Sequence, residues 1–105
     1  MSDRRVAETI AKTLLEKRLS SCVQIIGPLT SNYWWKGKIE RAKESLCLIK
    51  ARSNDYPEIE SAIKKVHPYD TPEILAVPIL KGNPEYLRWI AAETNRSPKR
   101  NVVRR

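Results

Sequence analysis

Apolar residues recur at helical spacing over residues 3–19. Val6, Ile10 and Leu14 stack one above another, with Ala7, Ala11 and Leu15 beside them. This pattern predicts an amphipathic helix, and Asp3 is placed to cap its first turn. Beyond it the period shortens. Residues 22–35 and 38–51 read as two strands joined at Lys36-Gly37, a pair suited to a tight hairpin turn. On the first strand, alternation sets Val23, Ile25, Leu29, Tyr33 and Trp35 on one face, with a bend or bulge at Gly27-Pro28. On the second, Leu46-Cys47-Leu48-Ile49 is apolar on both faces, as central strands are.

The helical period returns at 55–67, where Ile59, Ala62, Ile63 and Val66 form a narrow stripe. Residues 73–80 read as a strand, its Pro78 pointing to an edge or a bulge. Asn83 then caps a last helix with Pro84 at its first position, burying Leu87, Ile90 and Ala91. Helix, strand, strand, helix, strand, helix is the order of an α+β domain with helices on one face of a mainly antiparallel sheet.

The hairpin is long for its domain. A strand of 14 residues spans roughly 45 Å, against a diameter of about 34 Å for a compact chain of this size. The hairpin therefore overhangs. Its tip carries Tyr33, Trp34 and Trp35, residue types enriched in interface cores. Cross-strand packing, with Trp34 opposite Ile39, accounts for part of this. Overhang and aromatics together predict an oligomer with Tyr33, Trp34 and Trp35 at its interface.

Composition narrows the class. With 105 residues and 41% apolar content, the chain makes one domain, placed at residues 1–95. Of the net charge of +8, five units sit on residues 96–105, which hold no acid. That segment reads as a disordered basic tail, and a solubilising end outweighs a nucleic-acid arm because aromatic–basic interleaving is missing beyond the hairpin tip. No apolar run approaches the roughly 20 residues of a membrane span. Met1-Ser2-Asp3-Arg4-Arg5 lacks the apolar run of a signal peptide, so the expected location is cytoplasmic.

Chemistry is sparse. With paired positions summing to 73, Cys47 falls opposite Ile26 and Cys22 opposite Ala51. The thiols are then offset by about 13 Å, beyond the roughly 7 Å limit for a disulfide, and are expected to be free. A closed zinc site needs four N or S ligands, which one His and two separated Cys do not supply. Gly27, Gly37 and Gly82 are too far apart to cradle a phosphate. Ser20 and Ser21 lack any nucleophile context. A His67–Asp70 pair straddles Pro68 at a helix end, where Asp70 serves as readily to cap a turn. The chain reads as a non-enzyme.

Three ordered segments resemble a known family. Leu14-Leu15-Glu16-Lys17-Arg18-Leu19-Ser20-Ser21-Cys22-Val23 is similar to the first helix and following strand of the CutA divalent-cation tolerance proteins. Tyr33-Trp34-Trp35-Lys36-Gly37-Lys38-Ile39-Glu40 resembles their hairpin. His67-Pro68-Tyr69-Asp70-Thr71-Pro72-Glu73-Ile74 resembles their most distinctive motif, and Tyr86-Leu87-Arg88-Trp89 their closing helix. The resemblance implies a ferredoxin-like, PII-like fold and a homotrimer built through long hairpins. It also implies a non-enzymatic role in tolerance of divalent cations, copper above all, with no required cofactor.

Two features depart from the family pattern. Members usually carry a central strand ahead of the first helix, where this chain has only Met1-Ser2-Asp3; Val102-Val103 is a short conceivable substitute. Some members are thought to bind copper through a cysteine in that strand and two consecutive histidines, where this chain has Val66-His67. The implied metal site is thus reduced to His67, with Asp70 and Glu73 as candidate oxygen ligands. The alternative reading is a PII-like module that binds a small ligand or partner, with metals incidental.

Overall fold

The computed structural model describes residues 4–67 and 71–96. It contains α1 (Arg4–Glu16), β1 (Cys22–Trp35), β2 (Lys38–Lys50), a 3-10 turn (Ser53–Asp55), α2 (Tyr56–Val66) and α3 (Pro84–Glu93). The expected α+β class and long hairpin are present. α1 and α2 lay their apolar stripes together. Ile10, Leu14, Leu19, Ile59, Ala62 and Ile63 form the buried cluster, and Ile49 and Ala51 close it from the sheet side. Burying a Leu or Ile side chain contributes about 1.5–3 kcal/mol, so this cluster is what attaches both helices to one face of the hairpin.

α1 ends through its own backbone. The Leu19 amide donates to Leu14 O at 3.0 Å and the Arg18 amide to Leu15 O at 3.1 Å, the paired bonds of a Schellman end. Arg18 takes the left-handed conformation this requires, with φ 57°, at a cost of about 1–2 kcal/mol for a residue with a Cβ. Leu19 and Leu14 pack into the core on either side of that turn. Asp3, the expected cap, lies outside the described residues, as do Pro68, Tyr69, Asp70 and residues 97–105.

The hairpin departs from simple alternation. Cys22↔Lys50 through Ile26↔Leu46 is one register; Leu29↔Glu44 through Trp35↔Lys38 is another. Between Ile26 and Leu29, β1 advances three residues while β2 advances two. That bulge at Gly27-Pro28, a cis peptide, carries the chain across the pleat. Val23 and Ile25 pair with Ile49 and Cys47 on the helix side, whereas Leu29, Tyr33 and Trp35 emerge on the opposite face with Ile26, Leu46 and Leu48. The single face expected for all five β1 residues is therefore split. Cys47 likewise pairs with Ile25 rather than Ile26, and both cysteines are free. At the tip Lys36 (φ 50°) and Gly37 (φ 80°) make the turn, and Trp34 does face Ile39. The hairpin overhangs its helices: the radius of gyration is 15.8 Å, against about 13 Å for a compact chain of this length.

Residues 73–80 form no strand. Their composition suits a sheet, but a strand exists only in a ladder, and among the described residues β2 pairs with β1 alone. α3 also differs. Asn83 caps it as expected, its Oδ1 accepting from the Glu85 amide at 2.9 Å, yet only Ile90 is buried. Polar tethers hold its C-terminal end instead. Arg52 donates to Thr94 Oγ1 at 2.9 Å, and Arg18 pairs with Glu93 at 2.9 Å. The guanidinium of Arg96, a residue grouped by composition with the tail, grips the buried Asp55 at 2.6 and 3.1 Å and donates to Arg18 O.

Two outcomes follow for stability. A Cβ on Gly27 would sit 3.0 Å from Glu44 O and 3.2 Å from Ser45 Cα. Gly27→Ala should therefore lower the urea midpoint by an equivalent of about 1–3 kcal/mol, the usual cost of overpacking. Asp55→Ala removes the charge-assisted fork to Arg96 and should cost about 1.5–3 kcal/mol in the same measurement, with the loss concentrated in hydrogen-exchange protection at residues 90–95.

Candidate functional site

His67 terminates α2. Its amide donates to Ile63 O at 2.8 Å, and its backbone turns extended (φ −81°, ψ 128°), the conformation that a following proline imposes. The side chain is half-buried. Lys64 and Lys65 occupy the last helical turn beside it. Beyond the undescribed Pro68 to Asp70, Glu73 is exposed, while Ile74 packs on the core. Tyr56 donates to Glu60 Oε2 at 2.8 Å and lies 3.3 Å from Ile74 O, so the phenol pins the returning chain to α2. That hydrogen bond to Glu60 raises the Tyr56 pKa.

The described residues do not build a metal centre within one chain. Among the described residues, no three His, Cys, Asp or Glu side chains gather where they could hold an ion. His67 offers one imidazole and Glu73 one exposed carboxylate; Asp70 lies outside the described residues. A metal site of the usual kind takes at least three protein ligands, so the described donors fall short. Ser20 is structural: its buried Oγ lies 2.8 Å from Lys50 O and accepts from the Cys22 amide at 3.3 Å, closing the stem of the hairpin.

The larger feature is apolar. On the sheet face turned away from the helices, Ile26, Leu29, Tyr33, Trp35, Leu46 and Leu48 are all exposed. They run from stem to tip, with Ser31 and Ala42 between Leu29 and Tyr33 and with Glu44, Glu40 and Lys38 alongside on β2. At the tip, Trp34 and Ile39 occupy the other face at 71% and 66% exposure, so both sides of the overhang are apolar. Leu75, Val77 and Leu80 are more exposed still. On α3, Tyr86 stacks on Trp89 with ring centroids 5.6 Å apart, and both rings reach solvent. Scattered apolar residues are ordinary on a surface, but a contiguous stripe marks an interaction face.

A sequence profile described as CutA1 divalent ion tolerance protein matches residues 1–93. The chain is 46% identical over 89 residues to the divalent-cation tolerance protein CutA of Thermus thermophilus, covering 85% of this chain and 86% of that protein. It is 43% identical over 90 residues to the human protein CutA, where the match covers 86% of this chain but 50% of the human protein. The chain thus spans about half the length of that vertebrate relative. Among solved structures, Cut A1 from Thermus thermophilus superposes with a TM-score of 0.88 at 43% identity, over 90% of this chain and 92% of that one. The Archaeoglobus fulgidus structure, named a periplasmic divalent cation tolerance protein CutA, gives 0.87 at 44% identity, covering 90% and 91%. The fold is ferredoxin-like, as these neighbours are.

Burial pushes the Cys47 thiol above the ordinary range. The unfolded thiol therefore ionises first as pH rises, and this contribution to stability, full in acid, declines through the alkaline range. In a Cys22→Ser background, Cys47 should react with a disulfide reagent at pH 8.5 at least tenfold more slowly when folded than in urea. Replacing Cys47 with Ser should flatten the alkaline loss of stability.

Proposed function

The chain belongs to the CutA1 divalent ion tolerance family, and on that premise we propose that it acts as a non-enzymatic cation-response protein assembled as a homotrimer. The apolar stripe on the outer face of the hairpin supports this reading above all. Ile26, Leu29, Tyr33, Trp35, Leu46 and Leu48 stay exposed in one chain, and packing hairpin against hairpin removes them from water. Each side chain so covered contributes a part of the roughly 1.5–3 kcal/mol that complete burial gives, because between 37% and 45% of each is still exposed. Trp34, on the other side of the tip, extends the same interface.

Copper or another divalent cation is the ligand of this reading, bound weakly near His67. Glu73 and Asp70 supply oxygen, and more than one subunit contributes, because one chain gathers fewer than three donors among its described residues. No helix among the described residues is long and apolar enough to cross a membrane. Two free thiols accord with a reducing, cytoplasmic location.

Light scattering of the purified protein should give three times the chain mass, and Trp35→Asp with Leu46→Asp should give monomer. A monomeric parent protein would sink the assembly. Copper(II) titrated by calorimetry should bind the parent at least tenfold more tightly than His67→Ala. Equal binding removes His67 from the site, and a small metabolite that stabilises the trimer while copper does not turns the reading to a PII-like ligand module.

A further inference from the structure

The groove between α1 and α2 takes no part in the assembly or metal reading. We propose that it binds a small organic phosphate, the phosphoryl group held by Lys17 and Lys65 and an apolar body lying on the groove floor. The groove measures about 610 Å³, inside the roughly 300–1,000 Å³ of small-molecule sites. It lies on the helix side of the sheet, opposite the exposed apolar stripe, so assembly through that stripe leaves it open.

Its floor is apolar. Leu19 and Ala62 are buried there, flanked by Pro57 and Val66. Its rim is cationic: Lys17 follows the end of α1, and Lys65 stands in the last turn of α2. Neither ammonium has an ion pair or hydrogen bond among the described residues, whereas the neighbouring Lys64 lies 3.6 Å from Glu60. The hydroxyls of Thr13 and Ser61 line the same walls and add donors of the kind a phosphate accepts. Glu58 is the one carboxylate of the lining and opposes an anion.

The donor types select the ligand. A planar carboxylate is best matched by an arginine fork, and the fork in this groove, Arg96, is already taken by Asp55 at 2.6 and 3.1 Å. What remains free is compact ammonium charge plus hydroxyls, which suits the denser charge of a phosphate dianion. The apolar floor favours an ester over the bare ion.

Titrating phenyl phosphate into the assembled protein, followed by amide NMR, tests the assignment. Saturable shifts should centre on Thr13, Lys17, Ser61 and Lys65. Lys17→Gln and Lys65→Gln should each weaken binding at least fivefold, the double variant should abolish it, and Glu58→Gln should tighten it severalfold. Benzoate and inorganic phosphate should both bind at least fivefold more weakly. Shifts that do not saturate or centre elsewhere would overturn the proposal, as would undiminished binding by the double variant. Benzoate as strong as phenyl phosphate overturns the phosphate assignment, and equally strong inorganic phosphate overturns the role of the floor.

Discussion

One extra residue in β1 decides which way this molecule faces. Were the register uniform, Leu29, Tyr33 and Trp35 would continue the row begun by Val23 and Ile25 on the helix side. There they would run past the end of a small core with nothing to cover them. The bulge between Ile26 and Leu29 transfers them to the opposite face, where they extend the row of Ile26, Leu46 and Leu48. A face that alternation alone would have divided becomes one stripe. Gly27 suits this place, because a Cβ there would press on Glu44 O at 3.0 Å and Ser45 Cα at 3.2 Å.

Much of this was legible in the residues, for local reasons. α1, α2 and the hairpin announce themselves through a period and a turn, and both are properties of a few neighbouring side chains. The bulge was visible as Gly27-Pro28, but its consequence was not. A one-residue slip changes no composition while moving every later side chain to the other face. The segment 73–80 fails for the complementary reason. Isoleucine, leucine and valine show what can enter a sheet, and the ladder itself depends on a partner that the described residues do not provide. The grip of Arg96 on Asp55 joins groups 41 residues apart, which no periodicity reports.

The histidine motif divides along the same line. Its local role was readable: Pro68 stops α2, and His67 is the extended residue before it. A metal site is convergence rather than sequence order, and here the described donors of one chain do not converge. His67 thus stands as a single half-buried imidazole, and the copper site proposed above would need Asp70, Glu73 or another subunit to complete it. The hairpin tip was the more legible motif, because its aromatic overhang is written within eight consecutive residues, Tyr33 to Glu40.

Among the described residues, large apolar side chains divide unevenly between core and surface. The helix-side core rests on Ile10, Leu14, Leu19, Ile59, Ala62 and Ile63, whereas the apolar residues left in water include three tryptophans and all three of the hairpin's leucines. A domain of about 100 residues has only some 5–15 kcal/mol of net stability to lose. With more large apolar side chains exposed than buried among the described residues, an assembly of the kind proposed above would add contacts that one chain lacks, and stability would then depend on concentration. The same arrangement explains why α3 is held by arginines rather than by burial. Charged tethers to Asp55, Thr94 and Glu93 fix the helix in place while leaving Tyr86 and Trp89 exposed to solvent.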